Sequence, residues 1–176
     1  MDGPEQSVSR FSIRSSKKHY NRLEGVVYSN LFEMKISFEA KNCEEVYAVR
    51  CAKYFEELTF DNEAFSELVY AGIDYLNDLF DERGDEFDLG EEFDEITPED
   101  FLRITAPVVI VFEKHSLLTD DDSPIGFSIQ MRLREVADEF FELAMQEEKP
   151  IYAGEYRGVS PWNEKLLKKK WNYVEG

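Results

Sequence analysis

Apolar and polar residues alternate where Phe32, Met34, Ile36 and Phe38 interleave with Glu33, Lys35, Ser37 and Glu39. This two-residue period predicts a strand over 31–39 with one buried face. Ser29-Asn30 reads as a turn from a preceding strand at Val26–Tyr28, so the pair forms a hairpin. Phe127, Ile129, Met131 and Leu133 alternate with Ser128, Gln130, Arg132 and Arg134, predicting another half-buried strand over 125–134. Between them the period lengthens. Val46, Val49, Ala52, Tyr54 and Leu58, then Phe65, Leu68, Val69, Ile73, Leu76 and Phe80, recur at helical spacing. Two consecutive helices follow, at about 43–58 and 62–82, with Asn42 and Asp61 as their N-caps. Thr97-Pro98-Glu99-Asp100 sets a capping hydroxyl before a first-turn proline and two acids, predicting a short helix at about 98–103. Ala106 to Phe112 is continuously apolar and β-branched, the pattern of a central strand buried on both faces, Val109 and Val111 included. The stretch Val136 to Gln146 fits a helix through Val136, Phe140, Phe141 and Ala144, or a strand through Phe141, Leu143 and Met145. The turn residues at 147–150 and the run Ile151 to Tyr156 favour a hairpin. Ser160-Pro161 opens a final basic helix carrying Trp162, Leu166, Leu167 and Trp171.

These elements compose an α+β fold: a mostly antiparallel sheet holding 31–39, 106–113 and 125–134, with the two consecutive helices packed on one face. Residues 23–176 form a single domain with an acidic loop at 81–100. Residues 1–22 form a mobile basic tail with one short strand around Val8–Ile13. The 176 residues are 43% hydrophobic and include 14 Phe, enough apolar material for a core. The longest uncharged apolar run, Ile104 to Phe112, is half of the roughly 20 residues a membrane-spanning helix needs. No charged-then-apolar leader opens the sequence, so a soluble, cytoplasmic protein is expected. Cys43 and Cys51 lie eight positions apart on one predicted helix, about 12 Å along its axis, too far for a mutual disulfide.

Charge sharpens the picture. Asp and Glu total 38 against 20 Lys and Arg, a net charge of −18. Residues 1–25 and 159–176 each carry +2, which leaves −22 on 26–158. From Asp81 to Asp100 there are 11 carboxylates in 20 residues, with Arg83 the single cation. Such density opposes direct binding of nucleic acid, which needs cations to displace counterions. It attracts a basic protein surface and accelerates the encounter. The bland alternative is a solvated face that keeps the protein soluble. The candidate binding set is Asp85, Glu86, Asp88, Glu91, Glu92 and Asp94 with Phe87, Leu89 and Phe93 as apolar anchors, together with Asp120, Asp121 and Asp122.

Catalytic and metal signatures are sparse. The two histidines, His19 and His115, are remote from any Cys- or His-rich tract, so no zinc site is expected. No nucleophile elbow, dinucleotide-binding or phosphate-cradling glycine motif occurs. Aligning Gly90 to the invariant glycine of an EF-hand loop puts Phe87 and Leu89 where oxygen ligands belong, which rules that loop out. Neither a cofactor nor a metal is expected. His115, just after the central strand, is the one candidate general base, although a loop-rim or structural role is the favoured reading.

The order from Ile96 onward is a Thr-Pro-Glu-Asp helix, a Pro-Val-Val-Ile-Val strand, an Ile-Gly-Phe-Ser-Ile strand and a hairpin ending Tyr-Ala-Gly-Glu-Tyr. Over 96–156 it resembles small bacterial toxin-immunity domains. That resemblance implies a stoichiometric inhibitor that binds a cognate toxin or effector and covers its active site; with the acidic charge the expected partner is basic, and with the sparse catalytic signatures no enzyme is expected. Two other readings stand beside it: a phage-type nucleic-acid mimic that blocks a restriction or CRISPR enzyme, and a small enzyme using His115.

Overall fold

An antiparallel neighbour can follow across a short turn, whereas a parallel neighbour needs a long crossover. The computed structural model, which describes residues 11–15, 22–89 and 93–176, uses both connections. Seven strands, β1 (Phe11–Ser15), β2 (Arg22–Ser29), β3 (Met34–Lys41), β4 (Thr105–Glu113), β5 (Gly126–Leu133), β6 (Phe140–Gln146) and β7 (Lys149–Glu155), lie in one sheet in chain order. Every adjacent pair is antiparallel except β3 and β4. The parallel step is where the chain places its helices: α1 (Glu45–Glu57), α2 (Glu63–Arg83) and α3 (Pro98–Ile104). The fold is α+β with a mostly antiparallel sheet.

The alternation along β3 appears as buried Ile36, Phe38 and Ala40 against exposed Lys35 and Ser37. Phe127, Ile129, Met131 and Leu133 of β5 are likewise buried. Phe55 of α1 meets Phe112 and Phe127 edge to face, with centroids 6.2 and 5.7 Å apart, the arrangement the ring quadrupoles favour. Tyr75 of α2 packs on Phe141 at 5.9 Å. Gly72 lets α2 come close to the sheet, because a Cβ there would sit 3.0 Å from Leu143. Gly25, opposite Phe38, has a similar role between strands: a Cβ would lie 2.4 Å from the Phe38 ring and 2.2 Å from the Ser12 carbonyl. The hairpin at 140–155 is present, turning at 147–148.

Several local expectations are corrected. Val109 and Val111 are half-buried, because a register shift between Pro107 and Val109 gives the core-facing positions to Ile110 and Phe112. Asn42 does not cap α1. It takes a left-handed φ of 59° outside the helix, and the Asp120 carboxylate accepts the Glu44 N–H at 2.9 Å instead. Asn62, not Asp61, caps α2 by accepting the Phe65 N–H at 3.0 Å. Thr97 caps α3 as expected, and the Asp100 carboxylate accepts the Thr97 N–H in return, which closes a reciprocal capping box.

The final helix is reduced to a short 3-10 segment, Glu164–Lys168, joined to its flanks by local turns, and residues on both sides of it also bond the sheet. The Trp162 indole N–H donates to the Glu113 carbonyl at 2.8 Å. The Asn172 amide donates to Ile151 and accepts from Ala153, and the Tyr173 N–H donates to the Ala153 carbonyl, so this segment covers the edge of β7. Of the stretch read as a tail, Phe11–Ser15 is strand β1, and residues 1–10 and 16–21, His19 among them, lie outside the described residues. Among the described residues no helix is long and apolar enough to cross a membrane.

Candidate functional site

Helix α2 buries Ala64, Phe65, Leu68, Val69, Ala71, Gly72, Ile73 and Leu76, and Tyr75, Leu79 and Phe80 pack partly against the core, which leaves the opposite side of the helix outward. The exposed residues are Glu63, Glu67, Tyr70, Asp74, Asp78, Asp81 and Glu82. From Glu63 to Asp81 the steps are four, three, four, four and three, which aligns six side chains in one stripe about 27 Å long at 1.5 Å per residue. Five are carboxylates, and the sixth, Tyr70, is 54% exposed.

Like charges along this stripe are left uncompensated. Among the described residues no ion pair involves Glu63, Glu67, Asp74 or Asp81. Burial, then the neighbouring Asp78 and Glu175, raises the Asp74 carboxyl above its ordinary value. The Tyr173 hydroxyl donates to Asp78 at 2.8 Å, and burial with the Asp78 and Glu82 charges pushes its pKa up to about 12. Arg83, the helix's one cation, is spent internally on Glu86 at 2.9 Å and Glu139 at 2.7 Å, with its guanidinium 5.2 Å above the Phe87 ring.

The sequence-predicted set divides. Asp85, Glu86, Asp88 and Asp94 are exposed and continue the acidic surface past the end of α2. Phe87 and Leu89 are half-buried, and Phe87 packs edge-on to Phe80 at 6.0 Å. Phe93 packs on the core beneath Arg103, 5.7 Å away. Glu91 and Glu92 lie outside the described residues. The Asp120 carboxylate bonds α1 and its carbonyl accepts from Arg50, while Asp121 and Asp122 are exposed on the same loop. No hydrogen bond of these three, among the described residues, reaches α2 or 84–100. Upstream of Asp81 the sequence signals the stripe only through the three-and-four spacing of its carboxylates, the polar complement of the apolar period of α2.

His115 is placed as a rim residue: its Nδ1 accepts the Leu117 N–H at 3.2 Å, and its ring packs edge-on to Trp162 at 5.0 Å. A second carboxylate arrangement lies on β4 and β6. Glu142, 1% exposed, accepts the N–H groups of Arg157, Gly158 and Val159, each at 2.9 Å. Burial nevertheless raises its pKa, the three N–H groups and Lys41 pulling the other way. The Glu113 carboxylate accepts the Ser160 hydroxyl. Together they pin 157–160 beside a small cavity of about 120 Å³ that Lys41, Ser128 and Gln130 also line. Both carboxyls are committed to holding the chain. Among the described residues no group of three or more His, Cys, Asp or Glu side chains is placed to hold a metal ion. No family model, curated protein or solved structure matches this chain.

Proposed function

We propose that this protein is an acidic protein-binding inhibitor of the immunity type, which neutralises a basic toxin or effector by stoichiometric docking. The observation that carries the reading is the α2 stripe: five carboxylates and Tyr70 on the exposed side of a single helix. In this reading α1 and α2 lie together on one face of the sheet, and the outer side of α2 meets the partner, extended by Asp85, Glu86 and Asp88. The buried side of the helix fixes the spacing of the charges, so little order has to be imposed on binding. A rigid field of one sign steers a cationic partner and raises its association rate. The stripe carries one charge per about 5 Å, against one per about 3.4 Å of axis along a single strand of duplex DNA. That sparseness supports a protein-docking surface over a nucleic-acid mimic.

The test is binding kinetics with a partner recovered by pull-down, comparing the natural chain with a variant carrying Glu67→Gln, Asp74→Asn, Asp78→Asn and Asp81→Asn. Association should slow by about tenfold at low salt and lose most of its salt dependence, because exposed charges act over a screening length of about 8 Å at physiological ionic strength. An unchanged association rate at every salt concentration would overturn the reading.

A further inference from the structure

Beside the stripe, α2 and the segments around Leu167 and Tyr173–Glu175 enclose an open groove of about 580 Å³. Tyr70, Leu167 and Val174 supply its apolar surface, and Glu67, Asp74 and Glu175 stand around it. Its one cation, Lys149, is held by Glu164 at 2.7 Å and does not neutralise that rim. The volume is in the range of sites that take a side chain or a small ligand. An apolar floor inside an anionic rim has a definite complement. We propose that the groove receives an apolar side chain of the partner flanked by lysine or arginine, the apolar group seated on Tyr70, Leu167 and Val174 and the cations facing Glu67, Asp74 and Glu175.

This inference rests on the acidic-docking reading and makes it specific, since charge sets the encounter rate while a seated apolar anchor slows dissociation. A second copy of the chain is the wrong occupant, because each carries −18 and brings more of the same sign to the rim.

The experiment titrates the isotopically labelled full chain with the peptide Lys-Arg-Leu-Lys-Arg, blocked at both ends, and follows backbone amides by NMR. Controls replace its Leu by Gly, or its cations by Glu. Saturable shifts should cluster at 67–74 and 167–175. The glycine peptide should bind about tenfold more weakly, the equivalent of losing one buried aliphatic side chain, and the glutamate peptide not at all. Tyr70→Ala, at an exposed position that leaves the core intact, should weaken the parent peptide several-fold. Equal binding of the leucine and glycine peptides would overturn the groove while leaving the charged stripe standing. Absence of saturable shifts, equal binding of the glutamate peptide, or concentration-dependent shifts at these residues without peptide would also overturn it.

Discussion

Removing the Tyr47 hydroxyl tests how tightly α1 is tied to the centre of the sheet. Tyr47 is fully buried, and its oxygen lies 3.0 Å from the Glu113 carbonyl, the Pro124 carbonyl and the Gly126 N–H. Counting three contacts at about 1–1.5 kcal/mol each would put Tyr47→Phe near 4 kcal/mol. The structure gives a smaller number. A hydroxyl has one proton, so the two carbonyls share it. Each carbonyl also keeps another donor when it is lost: Glu113 the Trp162 indole N–H at 2.8 Å, and Pro124 the Ser123 hydroxyl at 3.0 Å. Only the Gly126 N–H is orphaned, and one buried unsatisfied donor costs about 1–3 kcal/mol. The expected loss is about 2 kcal/mol, seen as a lower urea midpoint at unchanged slope and a Tm lower by about 4–8 °C. A loss under about 0.5 kcal/mol would mean the Gly126 N–H finds another partner, and one near 4 kcal/mol would mean the shared carbonyls were miscounted; either refutes the reasoning.

Glu142→Gln should flatten the pH dependence of stability. Burial raises the folded-state pKa above 4.5, so the folded chain retains a proton that the unfolded chain has released. That contribution is complete below 4.5 and is lost as pH rises through the folded-state value, so the natural chain should lose stability relative to the variant over that window. Parallel urea midpoints for the two from about pH 4 to about pH 8 would contradict this. Asp120→Ala should lower stability by about 1 kcal/mol through loss of the acceptor at the start of α1, whereas Asp121→Asn and Asp122→Asn should stay within about 0.5 kcal/mol. Thermal melts of the three separate a structural aspartate from two exposed ones. Cys43 should resist a disulfide-exchange reagent in the folded chain near neutral pH, since burial and then the Asp120 charge push its thiol up to about 12. Rapid labelling at the rate of an unfolded control would show that its shelter is absent.

Period-two alternation at 34–41 was legible because that strand buries one face, so burial and sequence parity coincide; at 126–133 it correctly marks Phe127, Ile129, Met131 and Leu133, although Gly126 and Ser128 on the other face are buried as well. The continuous apolar run 106–112, read as buried on both faces, misled at Val109 and Val111, where a register shift changes which residues face the core and nothing in a uniformly apolar run marks such a shift. Helices α1 and α2 were visible in their apolar steps, but the carboxylate that accepts the Glu44 N–H just ahead of α1 comes from Asp120, 76 positions away, and local spacing carries no trace of it. The acidic segment was legible as charge and not as geometry. Asp81, Glu82 and Arg83 belong to the last turn of α2, and only the helix frame joins them to Glu63, Glu67, Asp74 and Asp78. Glu142 sits at an ordinary alternating position between Phe141 and Leu143, and the three N–H groups it collects come from a segment whose path is set by tertiary contact.

Because strand order equals chain order, the sheet has a single topologically demanding seam. Most of its connections are brief, four residues between β2 and β3 and two between β6 and β7, whereas 63 residues separate Lys41 from Thr105 across the parallel β3–β4 junction. Closing a 63-residue loop rather than a four-residue one costs about 2.4 kcal/mol more in chain entropy when the loop is unstructured. Prior formation of α1 and α2 shortens the span that has to be closed. The antiparallel groups 22–41 and 105–155 can therefore assemble from near neighbours, while their union waits for the helices. Hydrogen exchange during refolding should show the β6–β7 amides protected before those linking Ser37–Lys41 to Val109–Glu113.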